Sequence, residues 1–197
     1  MSVSRETAQL LDAYAKLIKK WNPAINLVAR GTLQDIHDRH IEDSLQLIEA
    51  AKPETGSWVD LGSGGGLPGI VVSILTQSRD LKVTLVESDK RKAAFLQTVR
   101  RELELANLTV LTDRIEALPD GNHNYASARA LAPLEKLLPW LQRVLAKDGT
   151  AWLLKGRNWR DEIDVASKDW HFDFETIPSR IEADSVIMKL RGIQKHG

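Results

Sequence analysis

Residues 58–70 read WVDLGSGGGLPGI, with five glycines and a proline behind a short apolar run. A segment of this kind leaves a strand, turns through backbone angles that side chains resist, and enters a helix. It commits its surroundings to a strand–turn–helix unit that brings bare backbone close to a ligand.

The rest of the chain fits that commitment. VTLVE (83–87), LTVL (108–111), YASA (125–128) and TAWLLK (150–155) are short apolar runs without clean alternation, as expected of strands buried on both faces. Helical spacing over 67–77, 89–106 and 134–146 separates them, the last stopping before an Asp148-Gly149 turn. Alternation of this type predicts βαβ units and a parallel sheet. FDFETI (172–177) and SVIMKLR (185–191) are joined by a short polar segment, which predicts a hairpin and one antiparallel strand. Two amphipathic helices precede the alternation, over 5–21, closed by Asn22-Pro23, and from Thr32, a candidate N-cap, to Ala50. The expected organisation is a helical cap (1–57) packed on an α/β core (58–197).

With 197 residues the chain is long enough for one well-buried domain. It has no cysteine, which excludes disulfides, Cys/His metal clusters and thiolate nucleophiles. The first twenty residues carry charge throughout and no run approaches a membrane span, so a soluble cytoplasmic protein is expected. Basic and acidic residues balance at 27 each, which argues against a large phosphate-gripping surface but permits a small one.

The glycine loop admits three ligand classes. A Walker A loop needs Gly-Lys-Ser/Thr where Leu67-Pro68-Gly69 stands, so triphosphate is disfavoured. A dinucleotide pattern is present at Gly64, Gly66 and Gly69, but its first glycine falls too far from the strand end. The other register, Asp60-Leu-Gly62-Ser-Gly64-Gly-Gly66, puts an acid at the strand tip, which suits a cationic ligand and repels pyrophosphate. S-adenosyl-L-methionine has a sulfonium, an ammonium and no phosphate. Glu87, 25 residues after Gly62, can accept from ribose hydroxyls, and Ile115 with Glu116 can cover and read an adenine.

For the methyl acceptor, the missing cysteine removes the thiolate route to pyrimidine C5. The segment Ala128-Arg129-Ala130-Leu131-Ala132-Pro133 lacks the Asn/Asp-Pro-Pro-aromatic tetrad of enzymes that methylate exocyclic amines. A ring nitrogen with a free lone pair, such as guanine N7, remains; it needs alignment and no base.

KKWNPAINLV, DRHIEDSL, VDLGSGGGLPGI, ESDKRKAAFL, ARAL and LLKG follow one another from about residue 16 to 156. In these blocks the chain resembles the small-subunit ribosomal RNA guanine-N7 methyltransferase G family, also called glucose-inhibited division protein B. The resemblance implies a Rossmann-like class I methyltransferase fold with a seven-stranded, mostly parallel sheet. It also implies S-adenosyl-L-methionine as cofactor, S-adenosyl-L-homocysteine as product, and transfer to N7 of one guanine in small-subunit (16S) ribosomal RNA. Carried over by motif, the cofactor contacts are Gly62, Leu67, Ile115, Glu116 and Arg129; Asp60, Gly64, Gly66 and Glu87 join them from the reading of the loop. Val28 stands where the family often has Thr, Gly65 where Pro is frequent, and Ala128 in place of Ser.

Arg129 and Lys155, at the ends of the fourth and fifth strands, are the catalytic candidates. Asn26, Arg39, His40, Lys90, Arg91 and Arg157 are candidates for RNA contact, with Trp159 and Arg160 beside the last. Lys90, Arg91 and Lys92 crowd the first turn of a helix, which the macrodipole disfavours unless Ser88 or Asp89 caps it. His37, His40 and Asp43 share metal-ligand spacing, but local packing is the expected role and no metal is expected. The expected partner is small-subunit RNA or a pre-ribosomal particle, met by a monomer. Rival readings are a methyltransferase for another RNA or a small molecule, a nicotinamide-dependent oxidoreductase and a non-catalytic RNA-binding module.

Overall fold

The computed structural model describes residues 3–197. The first helix, α1 (Arg5–Ile25), starts at Ser4, whose hydroxyl accepts from the Thr7 amide at 3.1 Å. Leu11, Tyr14, Leu17, Ile18 and Ile25 give it one buried face. It runs past Asn22-Pro23, where the sequence predicts a stop, and ends at Asn26, in the left-handed region at φ 41°. Pro23 falls in the last turn and is exposed, so the lost backbone bond opens to solvent.

The second predicted helix is broken. A 3-10 turn (Arg30–Thr32) and a π-helical turn (Ile36–Ile41) precede α2 (Glu42–Ala51). Of the face expected from Ile36, His40, Ile41, Ser44, Leu45 and Ile48, all are inside except His40, which is half-buried. Thr32 does not cap a helix here; its hydroxyl instead meets His40.

The core alternates β1 (Thr55–Leu61), α3 (Gly69–Leu75), β2 (Asp80–Val86), α4 (Lys90–Glu102), β3 (Leu108–Leu111) and β4 (His123–Arg129). It continues with α5 (Leu134–Val144), β5 (Leu145–Lys155), α6 (Trp159–Ala166), β6 (Trp170–Pro178) and β7 (Val186–Lys195). Asp148-Gly149 lies inside β5, where the β4–β5 pairing shifts register, and α6 was not expected. One seven-stranded sheet results, ordered β3-β2-β1-β4-β5-β7-β6, with β7 antiparallel to both neighbours.

Side chains on the two faces of the sheet feed two cores. Trp58, Leu81, Val83 and Leu85 face α1, α2, α3 and α4, whereas Val59, Leu61, Val86 and Ala128 face α5 and α6. Residues of α1 and α2 therefore share a core with the sheet. Chain order reverses between β1 and β4, and the crevice at their carboxyl ends is where open α/β sheets hold ligands.

Candidate active site and cofactor crevice

The glycine loop leaves β1 at Leu61. Gly62, Gly64 and Gly66 all have positive φ, at 62°, 55° and 90°, a region that side chains strongly disfavour. At Gly62 a Cβ would also lie 2.4 Å from Leu131 Cδ1. Gly64 differs: the only heavy atom within 4 Å of its missing Cβ is the Gly62 carbonyl oxygen, at 3.8 Å, so this backbone face is open to a ligand.

Three of the loop's amides are already engaged. Ser63 N–H donates to the Val86 carbonyl at 3.0 Å, Gly66 N–H to Ser63 at 2.7 Å, and Gly64 N–H to Glu87 Oε2 at 2.8 Å. A pyrophosphate would need such amides free and would meet the Glu87 carboxylate instead. The loop is also held from the cap. Tyr14 Oη donates to the Gly65 carbonyl at 2.6 Å, and Leu27 packs against Gly65.

Asp60 was expected to face the ligand directly, but its side chain is buried. Oδ1 accepts from Ser127 Oγ at 2.6 Å, and Ser127 in turn accepts from the Trp58 indole at 2.8 Å. Oδ2 lies beside the start of α3 without a hydrogen bond of good geometry. Burial raises its pKa to about 6, against the opposing pull of the Ser127 hydroxyl and the nearby Ser63 and Gly69 dipoles. Asp60 thus sits beneath the loop as a buried anion rather than on the crevice wall.

Glu87, just past β2, is buried and joins two elements. Besides Gly64 it accepts from the Asp89 amide at 2.8 Å, and Asp89 caps α4 by accepting from Arg91 and Lys92. A carboxylate has about four acceptor positions, so two remain for ribose hydroxyls. After β3, Ile115 is buried and Glu116 exposed within a 3-10 turn (Ile115–Ala117). Arg143 of α5 donates to the carbonyls of both residues, a brace that sequence reasoning missed. Together with buried Leu67, these groups line the β1–β3 end of the edge and could hold an adenosyl ligand.

A second cluster lies on the β4–β7 side. Arg129, the last residue of β4, His40 of the π-helical turn and Asp43 of α2 meet around a cavity of about 270 Å³, with Arg39 and Glu182 at its rim. Arg129 Nη2 donates to His40 Nδ1 at 2.6 Å, and His40 Nε2 lies 2.7 Å from Thr32 Oγ1, which donates to the Ala29 carbonyl. That pattern assigns His40 as the neutral tautomer carrying its proton on Nε2. Burial, then Arg129 and Arg39, lower its pKa to about 4, with Glu182 opposing. π-Helical geometry places His40 so that its carbonyl also accepts from Ser44, while its ring reaches β4.

Asp43 Oδ2 lies 3.6 Å from Arg129, and Oδ1 accepts from Ser179 Oγ at 3.2 Å. Burial raises its pKa, with Arg129 and Ser179 opposing. The segment between β6 and β7 is latched to the cap: Gln46 donates to the Pro178 carbonyl and accepts from the Arg180 amide, and Arg39 pairs with Glu182. None of these long-range polar contacts was read from the sequence. Nor was Asn22, whose buried Oδ1 accepts from the amides of Leu27 and Val28.

Lys155 borders the same cavity, but its ammonium turns to the Ala132 carbonyl at 3.1 Å and Glu162 at 2.5 Å. Glu162 also accepts from the Leu134 amide, so the pair ties β5, α6 and the start of α5 together. A buried ammonium engaged in this way differs from the expected contact with guanine. Asn26 likewise is an exposed helix cap, and its neighbour Leu27 is the residue that touches the loop. Lys90, Arg91 and Arg157 are exposed, the first two beside the Glu87 end of the crevice. Arg160 stacks over Trp159, 4.2 Å from its ring centroid. His37 faces Asp12 at 3.3 Å, away from His40, and among the described residues no cluster of three metal-ligating side chains forms.

Known proteins resemble this arrangement at two levels. At the level of fold, a crystal structure of an S-adenosylmethionine-dependent methyltransferase from Aquifex aeolicus superposes with TM-score 0.61 at 14% identity, covering 79% of this chain and 92% of that one. At the level of sequence, proteins named ribosomal RNA small subunit methyltransferase G are similar along nearly the whole length. The one from Paracoccus denitrificans is 54% identical over 98% of this chain and 99% of its own. That from a Ruegeria species is 48% identical over 99% and 95%. The profile of the family described as rRNA small subunit methyltransferase G matches residues 7–185, and the chain belongs to that family.

Proposed function

We propose that this chain transfers the methyl group of S-adenosyl-L-methionine to N7 of a guanine in small-subunit ribosomal RNA. The observation that carries the cofactor choice is the glycine loop: the amides of Ser63, Gly64 and Gly66 are engaged and Glu87 sits on Gly64, which suits a ligand without phosphate. When bound, the cofactor supplies an electrophilic methyl on a sulfonium. The open face of Gly64 and the buried Asp60 charge beneath the loop suit its cationic arm, Glu87 its ribose, and Ile115 with Glu116 its adenine. Arg129 lies between this crevice and the cavity, where it can hold the methionine carboxylate or the target nucleotide.

N7 carries no proton, so no general base is required. The protein's task is to hold the nitrogen about 3–3.5 Å from the methyl carbon and in line with sulfur. Arg129, oriented by His40 and Asp43, forms the wall that limits where the base can lie. A base in a loop enters more cheaply than one in a duplex, where unpairing costs a few kcal/mol. The exposed Lys90, Arg91 and Arg157 flank the edge and serve RNA phosphates. With a balanced charge, affinity comes from several contacts on folded RNA or a particle, met by a cytoplasmic monomer. Among the described residues no helix is long and apolar enough to cross a membrane.

The test is direct. Small-subunit particles lacking the modification are incubated with the protein and methyl-labelled cofactor, and N7-methylguanine is mapped by chemical strand scission. Label at one guanine supports the proposal; label confined to protein or small molecules contradicts it.

A further inference from the structure

We infer that Asp43 reads the Watson–Crick edge of the target guanine, with Arg129 beside it as the donor to O6; this rests on the acceptor proposed above. Guanine presents an acceptor at O6 and donors at N1–H and N2–H₂ along that edge. Its complement is one donor next to two acceptors. Arg129 and Asp43 offer that set, a guanidinium 3.6 Å from a carboxylate, both opening on the cavity. Asp43 has acceptor capacity to spare, because its two protein contacts are long, at 3.2 Å and 3.6 Å. Glu182, the other carboxylate at the cavity, is committed to Arg39 and Ser185 and is half exposed at the rim.

The order of groups along the sheet edge supports the same assignment. Arg129 ends β4, whose neighbour is β1, so the glycine loop lies on one side of it and Asp43 on the other. Around a guanine the order is N7, then O6, then N1–H and N2–H₂. With N7 turned to the crevice, O6 meets Arg129 and the two donors meet Asp43. Adenine fails at both positions, with an amine against the guanidinium and an unprotonated N1 against the carboxylate. Hypoxanthine keeps O6 and N1–H but lacks the second donor, leaving half of the carboxylate unanswered.

The mononucleotides GMP, IMP and AMP, used as competitors of methyl transfer to unmodified small-subunit particles, test this. A hydrogen bond to a charged group is worth enough that GMP should inhibit about tenfold more tightly than IMP, and AMP should be weaker still. Asp43→Asn replaces an acceptor by a donor and should bring the GMP-to-IMP ratio to about one. Glu182→Gln should leave the ratio in place. Each ratio is internal to one protein, so a general loss of stability does not imitate it. Equal inhibition by GMP and IMP in the wild-type protein, or none at millimolar concentration, overturns the assignment without any variant. So does a ratio abolished by Glu182→Gln and kept in Asp43→Asn. Failure of the wild-type protein to methylate particles at all is a different result, and removes the proposed function beneath it.

Discussion

Replacing Tyr14 by Phe removes one hydroxyl and leaves the ring's volume in place. That hydroxyl is fully buried and donates to the Gly65 carbonyl at 2.6 Å, joining α1 to a loop 51 residues away. Burial and the nearby Asp60 charge hold the phenol's pKa well above its usual value, so it stays a donor over the working pH range. Without it the Gly65 carbonyl is left unpaired away from water, which costs about 1–3 kcal/mol. No cavity term is added, because no carbon is lost. Urea denaturation should therefore show a lower midpoint with an unchanged slope. The same bond holds the loop in its binding shape, so calorimetry should show S-adenosylhomocysteine affinity reduced by about fivefold or more, the equivalent of about 1 kcal/mol. A stability change below about 0.5 kcal/mol would refute the claim that the bond matters. Full destabilisation with unchanged affinity would refute the claim that it shapes the crevice.

Other consequences can be checked in the same way. Gly62→Ala combines a left-handed backbone with a 2.4 Å approach to Leu131, and should destabilise by at least about 1 kcal/mol; adding Leu131→Ala should recover only the steric part. Glu162→Gln strands the buried Lys155 ammonium and should cost about 3 kcal/mol, with Lys155→Met restoring much of it in the double variant. If Lys155 acts on substrate instead, methyl transfer will fall in that double variant while stability recovers. His40 and Asp60 make opposite contributions to stability against pH. His40, lowered to about 4 in the fold, binds its proton more readily when unfolded, so its contribution is lost as pH falls from about 6.5 toward 4. Asp60, raised to about 6, contributes at low pH and loses that as pH rises from about 4 to 6. Relative to the wild-type protein, His40→Gln should therefore tilt the stability profile over this window toward a decline with rising pH. An unchanged tilt contradicts the lowered pKa of His40.

What the sequence disclosed follows from how local each cause is. The glycine loop is legible because positive φ and close packing at Gly62 and Gly66 admit almost nothing else. Buried strands are legible as apolar runs, and Asp89 as a cap, because both act within a few residues. Helix α6 was hidden because it buries only Ile163 and Ala166 among charged neighbours. The π-helical turn escaped a reading by α-helical period, although buried Ile36 and Ile41 stand five apart, a spacing that suits an i→i+5 turn better than an α-helix. Tyr14, Asn22 and Gln46 act across 5 to 134 residues, and nothing in their type separates them from ordinary core or surface positions. The same limit explains Asp60 and Lys155. Each stands at a strand tip, as expected, but whether such a side chain faces ligand or protein depends on partners, Ser127 and Glu162, from elsewhere in the chain.

The proposed function requires a sulfonium ligand, not a diphosphate, over the loop that follows β1. Amide spectra recorded while S-adenosylhomocysteine and, separately, NADH are added report this residue by residue. The expected result is saturable shifts at Gly62, Gly64, Glu87 and Ile115 with the first ligand and none with the second. Shifts at those amides with NADH, and not with S-adenosylhomocysteine, would contradict it.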